Sequence, residues 1–126
     1  MSWITILENP EGVTSLFDVQ PDLDRVELSS VSLDREAAVV TIKILVNATP
    51  QRVPSRWRNI VVTRVAICLQ VIDAKEFNLS GWGTEIVGNL RIEKLENRCV
   101  LSFESGISSF RVSGMFLRLN GLEPVA

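Results

Sequence analysis

The chain has 126 residues, 46% of them hydrophobic and 22% charged, and carries a net charge of −2 at pH 7. That length suits one domain, residues 1–126, and the apolar fraction is high enough to bury a core, which excludes wholesale disorder. With no His, no Tyr and only two Cys, the commonest general base and the commonest transition-metal ligand are missing, and most zinc chemistry is excluded.

The first ten residues have no positively charged start and no small-residue cleavage site, so a secretory signal is not expected and cytoplasmic residence is. Trp3, Ile4, Ile6 and Leu7 are expected to cap one end of the core, as a helical turn or as an edge strand. Asn9 has the chemistry of an N-cap, Pro10 suits a first helical turn and Glu11 favours the positive end of the helix dipole. With Val13, Leu16 and Phe17 at helical spacing, a short helix is predicted over residues 10–17. Asp18, Asp22 and Asp24 cluster around Pro21. They lack the glycine and terminal glutamate of a calcium loop, so they are read as turn-forming, and no metal site is expected.

Beyond Pro21 the hydrophobic period becomes two. Val26 and Leu28 alternate with Arg25 and Glu27, the phase slips at Ser29-Ser30, and Val31 and Leu33 resume it, which predicts one strand with a bulge. A turn at Asp34-Arg35-Glu36 leads into a strand that puts Val40, Ile42, Ile44 and Val46 on one face, so the two form a hairpin. Residues 47–58, with two prolines, read as a long irregular loop. Residues 60–72 carry the strongest strand pattern, with Val61, Val65, Ile67, Leu69 and Val71 on one face. Its other face is also largely apolar, which marks a central position in the sheet.

Asp73-Ala74-Lys75 then reads as a turn, followed by a separate short strand through Phe77 and Leu79. Leu90 and Ile92, and then Cys99, Leu101 and Phe103, continue the alternation, with turns at Glu96-Asn97 and Ser105-Gly106. The last strand runs over residues 110–119 and changes phase at Ser113-Gly114, which signals a bulge or a bend. Cys68 and Cys99 lie in these apolar runs and are expected to be buried free thiols. Lys43, Arg64 and Gln70 interrupt the longest apolar stretches, so no membrane helix is expected.

The expected fold is α+β and mainly β: a short N-terminal helix packed on a curved antiparallel sheet, or a two-layer sandwich, of about six to seven strands. No helical crossover is available for a parallel sheet.

Two segments stand out as candidate contact sites. Residues 50–64 carry Arg52, Arg56, Arg58 and Arg64 with Trp57 and no acidic residue, a local basic loop in a chain of pI about 5.2. Arg beside Trp is the mixture enriched at protein-interface hot spots. Stacking on nucleic-acid bases is the other use of that mixture, but phosphate binding rewards a broad positive face, so no nucleic-acid partner is expected. Trp57 has two readings, folded against the sheet edge or exposed as an anchor. In Ser80-Gly81-Trp82-Gly83 the glycines permit a tight bend, and Trp82 is read first as sealing the barrel end and second as an anchor. The partner-binding candidates are therefore Trp57, Arg56, Arg58 and Arg52, then Trp82. No catalytic or cofactor-binding residue is identified, since no phosphate-binding glycine loop and no activated nucleophile is present.

The run from Asn9 to Asp18, Pro21-Asp22-Leu23 leading into Val26-Glu27-Leu28, Val31 to Arg35, Phe77 to Trp82, and Phe110-Arg111-Val112 together resemble the immunity protein 50 family of bacterial polymorphic toxin systems. The similarity covers nearly the whole chain and rests on pattern rather than on a catalytic signature. It implies a small, non-enzymatic cytosolic protein that binds and neutralises a cognate toxin encoded beside it. The competing readings are a small-molecule-binding β-barrel or sandwich and an accessory subunit of a larger assembly. The sequence sets no oligomeric state.

Overall fold

Six strands account for the architecture: β1 (Val26–Asp34), β2 (Val39–Val46), β3 (Arg64–Ser80), β4 (Val87–Leu95), β5 (Arg98–Ser105) and β6 (Ser109–Val125). The structure, a computed structural model, describes residues 2–126. The strands pair antiparallel in the order β1-β2-β3-β6-β5-β4, and β4 returns to β1, so the curved sheet closes into a barrel. Two three-stranded meanders are thus joined along the long β3–β6 ladder, which runs from Arg64 opposite Val125 to Ser80 opposite Ser109. The closing seam is short: Val26 faces Gly88 and Glu27 faces Val87. Closure removes most exposed sheet edge without needing a second layer.

The period of two explains which side chains fill the barrel. On β2, Val40, Ile42, Ile44 and Val46 are all buried, and Val65, Ile67, Leu69 and Val71 meet them from β3. Leu101, Phe103, Phe110, Val112 and Leu117 complete the interior, where the rings of Phe103 and Phe110 stack 5.3 Å apart. The phase slip at Ser29-Ser30 is a bulge, because the β1–β2 register shifts between Leu28 and Ser30. Leu33, beyond it, is exposed.

The N-terminal segment plugs one mouth of the barrel. Trp3–Ile6 is a 3-10 turn and Leu7 forms a single bridge to Leu117, so this stretch is partly helical turn and partly edge strand. Trp3, Leu7, Val13, Leu16, Phe17 and Leu23 all join the core. The helix, α1 (Glu11–Thr14), is shorter than the pattern predicts. It stops because the carbonyls of Thr14, Ser15 and Leu16 are taken by residues 51 and 52 of a distant loop. Asn9 is not its cap: its side-chain amide bonds instead to the backbone of Leu119 on β6.

Three further expectations need correction. Residues 60–63 are not strand, because β2 ends at Val46 opposite Val65 and, on the other side, only Thr63 still bonds to β6, through the Val125 carbonyl. Asp73-Ala74-Lys75 does not turn the chain, so the expected separate strand at Phe77 and Leu79 is the second half of β3. Asp73 takes a left-handed φ of 55° and the β3–β6 register shifts between Ala74 and Glu76. The turn-forming residues are used as a bulge because β6 is long enough to hold β3 on both sides of it. The expected bend at Gly114 lies opposite, where an added Cβ would come within 2.5 Å of the Val71 side chain. Cys99 is a buried free thiol, whereas Cys68, also free, faces outward from β3 and is only half-buried.

Candidate functional site

The loop between β2 and β3, residues 47–63, holds four of the five candidate contact residues, and the structure gives them different jobs. Trp57 closes a 3-10 turn at Ser55–Trp57 and is 3% exposed, its ring folded into the core. It takes the first of its two readings and leaves no aromatic face free for a partner. The Arg56 guanidinium lies 5.7 Å from the centre of that ring, a cation–π contact that holds the charge at the surface.

Arg52 is engaged within the molecule. Its Nε donates to the Ser15 carbonyl at 2.8 Å, one terminal nitrogen donates to the Thr14 carbonyl at 2.6 Å, and the other pairs with the Asp18 carboxylate. Backbone N–H groups of Gln51 and Arg52 both donate to the Leu16 carbonyl, and the Asp18 N–H donates to the Gln51 side chain. These contacts satisfy the carbonyls left open at the end of α1, so Arg52 fastens the loop to the N-terminal segment. Asp18 thereby becomes an ion-pair partner, and the Asp22 carboxylate accepts the Asp24 N–H in a local turn. Among the described residues no group of three or more acidic or Cys side chains is placed to hold a metal ion.

Arg56 and Arg58 are exposed, and among the described residues neither has an acidic partner within 4.0 Å. Two open grooves flank the loop and share Val53 and Pro54. One, of about 490 Å³, runs past Arg56 toward Leu119 and Leu122 of β6. The other, of about 520 Å³, is bordered by Trp57, Arg58, Ile60 and Val62. Val53 and Val61 add exposed apolar surface, Val61 at 81%. Sequence reasoning missed both as surface residues. Val61 was hidden inside an apparent strand pattern, and for Val53 the only signal is an aliphatic residue between Arg52 and Pro54.

Trp82 lies beyond the far end of β3 and is 58% exposed, so it does not seal the barrel. The bend that presents it depends on Gly81, whose φ is +81° and where a Cβ would sit 1.9 Å from the Ile107 carbonyl oxygen. Leu79 and Ile107, both exposed, extend the apolar surface at this end. Ile107 follows the predicted Ser105-Gly106 turn and lies in no predicted element. Because β3 separates the two regions by its 17 residues, roughly 50 Å at ~3.3 Å per residue if fully extended, the basic loop and Trp82 do not form one patch.

No helix among the described residues is long and apolar enough to cross a membrane. The Immunity protein 50 family model matches residues 9–125. The chain therefore belongs to the immunity protein 50 family. No curated protein and no solved structure matches the chain.

Proposed function

We propose that this member of the immunity protein 50 family binds a cognate bacterial toxin domain in the cytoplasm and neutralises it by occlusion, without catalysis, cofactor or metal. Family membership carries the reading. The fold supports it: the barrel interior is filled by side chains such as Ile42, Ile67, Leu101 and Phe103, which favours a surface-acting protein over a ligand-carrying barrel. Unpaired Arg56 and Arg58 at the rim of the β2–β3 loop form the proposed contact face, with Trp82 as a second anchor. Trp57 from beneath and Arg52 at the surface hold the loop in shape.

The test is co-expression with the toxin domain encoded beside the gene. Growth should be restored in proportion to the amount of this protein, and the two chains should co-purify in a fixed ratio. A toxin that kills unimpeded and does not co-purify would overturn the proposal.

A further inference from the structure

We infer that the partner segment received by the β2–β3 loop is acidic with apolar side chains, opposite in sign to what the chain's own acidic balance suggests; this rests on the toxin-binding reading above. The net charge of −2 belongs to the whole chain. Coulomb interactions between exposed groups are screened beyond about 8–10 Å at physiological salt, so a partner responds to the charges within that reach. At the groove walls themselves the charged side chains are arginines alone. Arg56 borders one groove and Arg58 the other, and no acidic residue lines either. The nearest carboxylate in the network, Asp18, is already neutralised by Arg52.

The chemistry of the grooves completes the picture. Val53, Ile60 and Leu122 offer apolar walls, and the shared ridge of Val53 and Pro54 divides them. A segment whose Leu or Phe side chains enter the grooves would bring adjacent Asp or Glu carboxylates to Arg56 and Arg58, where a planar guanidinium donates two parallel hydrogen bonds to a carboxylate. Trp57 restrains Arg56 beforehand through its ring, which reduces the ordering cost of that contact. Arg set against an aromatic is a common hot-spot arrangement.

Two measurements test this. Binding of the neighbouring toxin domain to wild type, to Arg56→Glu/Arg58→Glu and to Arg56→Gln/Arg58→Gln should weaken in the order wild type, Gln, Glu, with a loss of about 30-fold or more for the Glu pair. The salt dependence of binding should fall with it, while the melting temperature stays nearly unchanged. Equal or tighter binding of the Glu variant overturns the inference and leaves the toxin-binding reading standing, whereas no binding by wild type defeats that reading. The second probe needs no toxin: the peptide Asp-Leu-Glu-Phe-Asp-Leu, compared by NMR titration with its counterpart carrying Lys at each acidic position. Shifts confined to the residues lining the two grooves, within 12–16, 49–62 and 119–122, with the acidic peptide alone support the inference. An equal response to the Lys peptide, shifts elsewhere, or no response to the acidic peptide refutes it.

Discussion

The side-chain amide of Asn9 and the backbone of Leu119 exchange two hydrogen bonds across 110 positions of sequence: Nδ2 donates to the Leu119 carbonyl at 2.9 Å and the Leu119 N–H donates to Oδ1 at 2.8 Å. The carboxamide imitates a strand residue at a place where β6 has no strand on that side. Glu8 donates its N–H to the Leu117 carbonyl one step earlier, so the N-terminal segment covers the open edge of β6. Asn120 beside it is the extra residue of a β6 bulge, unpaired where the register shifts between Leu119 and Gly121.

Asn9→Ala should remove both bonds and leave two part-buried backbone groups unpaired, lowering stability by about 1–3 kcal/mol. Asn9→Asp keeps the acceptor and loses the donor, so it should fall between wild type and Ala. Urea unfolding checks the order, and amide exchange at Leu119 should accelerate in Asn9→Ala. Unchanged exchange there would separate Asn9 from the β6 edge.

Arg52→Ala should cost about 1 kcal/mol by uncapping the end of α1, measured by thermal unfolding, whereas Arg58→Ala should leave stability unchanged and Arg56→Ala should cost no more than about 0.5 kcal/mol, from its contact with the Trp57 ring. The contrast follows from their partners. Arg52 is bonded to Ser15, Thr14 and Asp18, whereas Arg56 and Arg58 are exposed and, among the described residues, the one contact of their charged groups is that of Arg56 with the Trp57 ring. A binding defect in Arg52→Ala as large as that of Arg56→Ala, with full stability, would place Arg52 in the contact face itself.

Trp57→Ala should destabilise by about 3 kcal/mol or more, since it removes a buried ring from beneath the loop. Trp82→Ala should change stability by no more than about 0.5 kcal/mol, because its ring is largely in solvent. Denaturant midpoints for the two variants give the comparison directly. Intrinsic fluorescence adds a second readout: acrylamide should quench Trp82 far more than Trp57.

Burial pushes the Cys99 thiol above its ordinary value, a shift only partly opposed by backbone hydrogen bonds and by Lys94. A raised native pKa means that the unfolded chain loses this proton first. The contribution is therefore fully present below the ordinary thiol pKa and is lost as pH rises toward the native value. Unfolding free energy of wild type should fall on the alkaline side more steeply than that of Cys99→Ala. Native alkylation should label Cys68 first, since the thiolate is the reactive form and Cys68 is the more accessible. Labelling of Cys99 at the same rate would contradict its burial.

The strands were legible wherever one face is committed to the core. Val40 to Val46, Val65 to Val71 and Phe110 to Val112 alternate because a residue shifted by one position would point into water. The bulge at Ser29-Ser30 and the bend at Gly114 were readable for the same reason, as slips in that alternation. Residues 60–63 show the limit. Their alternation looks like strand, yet a strand needs a neighbour, and β2 has already ended.

What the sequence determined by itself is the side of the chain that faces inward, since burial of alternate apolar side chains is a local property of period and composition. What only the tertiary structure decided is the fate of groups whose partners lie far along the chain. Asp73 became a bulge because β6 runs past it, Asn9 left its helix for Leu119, and Arg52, still exposed, was turned onto the carbonyls at the end of α1. Trp57 was buried and Trp82 exposed by the same cause. A side chain's local sequence sets what it can bond to or cover, while closure of the barrel sets what is within reach.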